Sequence, residues 1–251
     1  MDLNFKEVPK AYGTFHIICL IISLLFCVLC FMLAKKRNTK KDSLVIFIIS
    51  IVLIATEIWK QISRTILNNG QYPFSIFPFQ LCSIPMYLGF IQYFIKNEKV
   101  KDTIFVYMTL SGMIGGIAML TVPIVIFNLS IPYTIHSVFW HMVLIGQGVY
   151  LIRARGYGKK PLKEIIPCIP IIATIVTIAV ILNATPYGFN LISLSTKFKN
   201  DPPLLDAIYQ RVSYPIYVVI VFLGLIAGLL LVDMVVYFIR KIVKIGGKYE
   251  N

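Results

Sequence analysis

The side chains best suited to chemistry in this sequence are Cys82, in FPFQLCSIPMYLGF, and His141, in YTIHSVFWHMVLIGQG. An imidazole beside a thiol can take its proton and leave a thiolate nucleophile, the arrangement of many covalent acyl-transfer catalysts. A second group, Glu57, Lys60, Gln61 and Arg64, is spaced at offsets of three, four and seven and so shares one helix face. Glu57 can pair with Lys60 or Gln61, while Lys60, Arg64 and Arg211 have the charge to hold a phosphate. Gln80, His136 and Asn190 complete the polar candidates for substrate binding, and Tyr or Asn donors could stabilise an oxyanion. Other chemistries fit less well. A retinal protein needs a Schiff-base Lys in its last span, and none occurs between Pro215 and Ile239. A metal site needs three or more ligands, whereas the only histidines are His16, His136 and His141, the last two pointing about 140° apart on a helix. No metal and no cofactor is expected.

The elements that carry these residues are membrane helices. Of the 251 residues, 58% are hydrophobic and 14% charged, and the mean hydropathy of +0.81 is far above that of a soluble domain. Seven apolar blocks are long enough to cross about 30 Å of hydrocarbon: residues 14–34, 43–67, 78–95, 103–127, 134–152, 165–183 and 215–239. They are continuously apolar rather than alternating, which excludes a membrane barrel. The first is too long for a cleavable signal and lacks a cleavage site. The expected fold is therefore all-α, a single polytopic membrane domain built as a seven-helix bundle.

Seventeen of the 24 basic residues fall in the loops after the first, third and fifth blocks and in the tail. By the positive-inside rule that side is cytoplasmic, which puts the N-terminus outside and the C-terminus inside, in a bacterial plasma membrane. The net charge of +13 then reports topology and attraction to anionic lipid. Nucleic acid is not expected, because no basic and aromatic recognition module accompanies the charge. Cys19, Cys27, Cys30, Cys82 and Cys168 all lie within or at the end of blocks, and no disulfide framework is expected.

With this topology Glu57, Lys60, Cys82 and His141 fall in the outer half of the bilayer; treated as helical, Cys82 lies about 6 Å below Pro78 and His141 about 10 Å below Thr134. The inner half holds only Asp233 as a main ionisable group, expected near the headgroups. Gly112 and Gly116 in the fourth block, and Gly224 and Gly228 in the seventh, have the GxxxG spacing that lets helix backbones approach. Pro85, Pro123 and Pro170 are expected to kink their spans. Residues 184–214 are expected to form an extracellular connection with a short surface helix begun by Asp201 and Pro202, roofing the polar pocket. There is no internal repeat, so an inverted-repeat transporter is not supported.

FPFQLCSIPMYLGF, followed by HSVFWHMVL and an external Asn-aromatic stretch, resembles the YwaF family of bacterial integral membrane proteins over most of the chain, from the second block to the seventh. In that family the third span usually reads Leu-His-Leu-Cys; Gln80 stands at the His position here, while Cys82 and His141 match the pattern. The family is itself remotely similar to a vertebrate transmembrane acyltransferase that makes ether phospholipids and is thought to use a cysteine, so the resemblance implies lipid acyl transfer. The expectation is an outward-facing polar pocket acting on a phospholipid ester, with Cys82 as nucleophile and His141 as base. The alternative is a non-enzymatic binding protein or permease for a small anionic solute or a lipid headgroup.

Overall fold

The computed structural model describes residues 3–34, 38–124, 126–197 and 203–243. The expected helix start at Asp201 and Pro202, and the basic residues Lys35, Lys36, Arg37, Lys199, Lys244 and Lys248, lie outside the described residues. Among the described residues the fold is all-helical, with a single isolated β-bridge between Asn4 and Ser130. Nine α-helices follow in order: α1 Thr14–Leu33, α2 Thr39–Leu67, α3 Ile84–Ile91, α4 Glu98–Thr121, α5 Ile131–Arg155, α6 Pro161–Ile165, α7 Ile169–Ala184, α8 Pro203–Tyr209 and α9 Tyr214–Val243. Six segments are long and apolar enough to cross a membrane: α1, α2, α4, α5, α9 and the nearly continuous run of α6 through α7. This is a multi-pass membrane protein.

Helix limits follow local chemistry. Asn97 caps α4 by accepting from the Lys99 and Val100 amides, with Glu98 in the first turn, so the helix starts five residues before Thr103. Asn38 does the same for α2 through the Lys41 amide. Gly156, at φ 76°, closes α5 in the left-handed conformation that glycine adopts without strain. The three prolines expected to kink spans act differently. Pro123 lies past the end of α4, and Pro85 and Pro170 sit in the first turns of α3 and α7, where a missing N–H costs nothing.

The most extensive helix contacts are α4 against α5, which run antiparallel, and α1 against α5, which run parallel. At one end, Arg155 of α5 reaches Asp42 of α2 and Asp102 of α4, and Arg153 reaches the Ala34 carbonyl. At the other end, His16 of α1 reaches the Leu120 carbonyl of α4, and Tyr133 of α5 reaches Ser63 of α2. The first is the basic end, where the Lys- and Arg-rich connections gather; the second carries the candidate site.

The third segment departs from the continuous span expected over 78–95. Only eight residues form α3, continued by a 3-10 turn, Gln92–Phe94; a second 3-10 turn covers Phe74–Ile76, and residues 77–83 are turn and irregular backbone. The cause is Pro73 and Pro78, which remove amide donors, Pro78 holding Phe77 before it at an extended ψ of 128°, while Pro85 is accommodated only in the first turn of α3. The helical depth arithmetic for Cys82 therefore does not hold. The connection nevertheless runs from the site end, where α2 stops, to the basic end, where α4 starts. Non-helical backbone at membrane depth persists only where protein satisfies it, and here it does. The Tyr87 hydroxyl donates to the Pro78 carbonyl, Trp140 Nε1 to the Cys82 carbonyl and Gln61 Nε2 to the Ile76 carbonyl.

Candidate functional site

The broken third segment leaves Cys82 in the turn immediately before α3, half-buried. The amino end of α3, which carries partial positive charge, begins two residues after Cys82. On the α4 side the Cys82 Cβ lies 3.5 Å from where a Cβ of Gly115 would be, an ordinary van der Waals distance, so the thiol segment packs directly on α4 at Gly115.

Lys60 is held by Glu57. The Lys60 Nζ to Glu57 Oε1 distance is 2.7 Å, and Glu57 is only 4% exposed, while the Lys60 side chain keeps 25%. Gln61 also donates to Glu57, and the Tyr72 hydroxyl donates to Gln61 Oε1 at 2.7 Å. One face of α2 thus ties a buried carboxylate to a partly accessible cation, and the carboxylate's charge is balanced in place. Tyr72 lies outside the spanning helices; burial first, and then the Glu57 carboxylate, push its phenol above the ordinary tyrosine value. Arg64, one turn further, lies over the Tyr133 ring at 3.9 Å.

The three histidines separate clearly. His16 uses both ring nitrogens: Nδ1 accepts from the Tyr12 amide at 2.8 Å, so Nε2 donates to the Leu120 carbonyl. His141 Nδ1 lies 2.7 Å from the Ser137 carbonyl, which can only accept, so the proton is on Nδ1 and Nε2 presents a lone pair. That Nε2 is buried and has no hydrogen-bond partner, Cys82 included. His136 packs between Trp59 and Trp140, and its Nε2 is likewise buried without a partner. Lys60 acts electrostatically on both rings. Cys82 and His141 are neighbours through the scaffold: Trp140 bonds the Cys82 carbonyl, and the His141 carbonyl sits 2.9 Å from where a Cβ on Gly116 would be.

Other candidates stand elsewhere. Gln80 is committed to the fold, donating to the Asn190 carbonyl at 2.9 Å and accepting from the Ile192 amide at 3.0 Å. Asn190 accepts from the Ser195 amide. With Asn183 bracketing Leu191, and Tyr214 and Tyr217 donating to the Leu194 and Ser193 carbonyls, residues 190–195 form a buried plug. Arg211 is exposed just beyond α8, its amide bonded to the Ile208 carbonyl. Among the described residues no three His, Cys, Asp or Glu side chains gather as a metal site.

The expectation that the basic half holds little but Asp233 is corrected. Arg155, with a fully buried side chain, pairs with Asp42 at 3.4 Å and with Asp102. Tyr150 donates to Asp42 and Tyr157 to Asp102. Burial and the Asp102 carboxylate drive the Tyr157 phenol upward, keeping it the neutral donor. Asp233 itself is 0% exposed, with neither carboxylate oxygen hydrogen-bonded. The sequence signal for this network is the presence of Asp42 and Asp102 among the lysines that open α2 and α4.

The glycine pairs also differ from one another. In α4, Gly112 and Gly116 pack on the α5 backbone at Leu144 and His141 as the spacing predicts. In α9, a Cβ on Gly224 would meet nothing within 4 Å, and one on Gly228 only the Ile114 Cδ1 at 3.6 Å. Instead of a close helix crossing, this pair lines a cavity of about 150 Å³.

Comparison with known proteins gives one result. The model of the TMEM164 family, a membrane protein family, matches residues 11–233. No curated protein and no solved structure matches the chain. With nearly its whole described length matched, the chain belongs to the TMEM164 family.

Proposed function

We propose that this protein transfers an acyl group between phospholipids, with Cys82 as nucleophile and His141 as general base. The observation that carries the reading is the buried, unpartnered Nε2 of His141, fixed in its lone-pair tautomer by the Ser137 carbonyl, in the layer that holds Cys82 and Lys60. The Cys82 thiol gives its proton to His141, and its sulfur attacks the ester carbonyl carbon. The ester C–O bond breaks, a thioester forms, and the departing lysophospholipid oxygen takes the proton back from His141. The hydroxyl of a second lysophospholipid then attacks the thioester, its proton passes to the imidazole, and the S–C bond breaks to restore Cys82. Lys60, balanced by Glu57, and Arg64 attract the phosphate. The remote similarity to a vertebrate lipid acyltransferase supports this reading, and so does the family membership. Seven crossings of a plasma membrane, with the N-terminus and the site end outside, follow from the charge bias of the connections.

A lipid-mimetic thiol reagent tests this. Cys82 should react much faster than buried Cys19, and His141→Ala should slow it; equal rates at the two cysteines would refute it. One observation favours a second reading, an anion-binding or permease role: His141 Nε2 makes no hydrogen bond to the thiol. Anion flux in liposomes that survives Cys82→Ala would select it.

A further inference from the structure

The cavity beside the α9 glycine pair is bounded by α4, α7 and α9. It is lined by Leu81, Ile114 and Gly115 near the thiol and by Tyr107, Ile172 and Leu225 further in. One end of it adjoins the Cys82 segment, since Leu81 precedes Cys82 and the Cys82 Cβ lies 3.5 Å from the Cβ position of Gly115. Along α4 it reaches from Gly115 to Tyr107, eight residues or about 12 Å toward the basic end. A hole of this size lined by hydrocarbon stays dry and accepts apolar molecules as large as benzene. At its inner part the Tyr107 hydroxyl is 2% exposed and without a hydrogen-bond partner, while Ser111 spends its proton on the Tyr107 carbonyl.

We propose that this slot holds the carboxyl-proximal part of the hydrocarbon tail of the acyl group that Cys82 carries, and that Gly224 and Gly228 set the chain it admits. The link to Cys82 rests on the acyl-transfer reading; occupancy of the slot by a lipid chain does not. Bilayer lipid is the solute that surrounds this helix bundle, the lining is apolar, and the long axis leads away from the only half-buried thiol on its rim. The two glycines explain why the space exists, because any larger side chain on that face of α9 would project into it. The unpartnered Tyr107 hydroxyl marks the far wall and leaves a donor for a polar or unsaturated position along the chain.

The test uses the full-length protein in nanodiscs of phosphatidylcholine and phosphatidylethanolamine carrying a diazirine within one acyl chain. Crosslinks should map to α9 near Gly224 and Gly228 and to α4 near Ile114, and they should persist in Cys82→Ala. Gly224→Leu should abolish them and, in an active protein, shift acyl preference toward short chains by about tenfold or more, the scale of a steric mismatch in an apolar pocket. Where Gly224→Leu does not fold, competition by free fatty acids on the unaltered protein decides, since a bounded slot discriminates by length. Crosslinks confined to lipid-facing residues of α1, or unaffected by both Gly224→Leu and chain length, would overturn the slot. Transfer that persists in Cys82→Ala would refute the catalytic reading alone, leaving a lipid-chain site.

Discussion

Both ends of the bundle bury charged side chains, and they satisfy them differently. At the basic end, Arg155, Asp42, Asp102, Tyr150 and Tyr157 bond one another across three long helices and the connection after α5. Each partner there stabilises the burial of another. At the site end, Glu57, Lys60 and Gln61 are matched within α2, but the Nε2 atoms of His136 and His141 are left without partners, and Cys82 sits on irregular backbone. A fully satisfied network holds helices in register; unsatisfied lone pairs in a buried layer cost free energy that folding alone gives no reason to retain. The contrast separates the Arg155 network, a structural clamp with the buried, unbonded Asp233 carboxylate lying outside it, from the site end, whose open nitrogens are what the proposed reaction requires.

The largest expected effect is at the clamp. Arg155→Ala leaves the buried Asp42 and the partly exposed Asp102 without their cation and should destabilise the fold by about 3–5 kcal/mol, read by thermal or denaturant unfolding in detergent. A loss under about 1 kcal/mol would remove the distinction between the ends. Next, His141→Ala gives up the Nδ1 bond to Ser137 and some buried ring volume, so it should cost about 1–3 kcal/mol, less than Arg155→Ala, while lowering acyl transfer about 10²–10⁴-fold. A variant that unfolds as readily as Arg155→Ala would make His141 part of a second clamp.

Smaller effects separate the glycine pairs. A Cβ on Gly116 meets the His141 carbonyl and the Ile145 side chain, so Gly116→Ala should cost about 1–3 kcal/mol, whereas Gly224→Ala should be close to neutral. The smallest is Tyr72→Phe, removing one hydrogen bond to Gln61 at about 0.5–1.5 kcal/mol. Because the Tyr72 phenol is raised in the fold, its contribution is full below the free tyrosine ionisation near about 10 and declines as pH rises through the higher folded value. The difference between Tyr72→Phe and the unaltered protein should therefore vanish in strong alkali and hold constant below it.

The long helices are legible in the sequence because apolar blocks of this length have one stable form in a bilayer. The Glu57, Lys60 and Gln61 cluster is legible because it lies within a single helix. The clamp is not, since Asp42, Asp102 and Arg155 are separated by 60 and 53 residues, and only tertiary packing brings them together. The break in the third segment is signalled by Pro73, Pro78 and Pro85 yet hidden by the hydropathy around them. The α9 glycines carry the spacing of a helix crossing, and no local feature tells that their side of α9 faces a void instead of a backbone. Gln80 and Asn190 look like ligand-binding groups in isolation, but each is bonded to the backbone of the 190–195 plug.

The most direct measurement is intact-protein mass spectrometry after brief incubation with a diacyl phospholipid. The account predicts a mass increase of one acyl group on Cys82, released by neutral hydroxylamine, absent in Cys82→Ala and strongly reduced in His141→Ala. A protein that turns lipid over with no acyl group on Cys82, or that carries it equally on Cys27 and Cys30, would contradict the account.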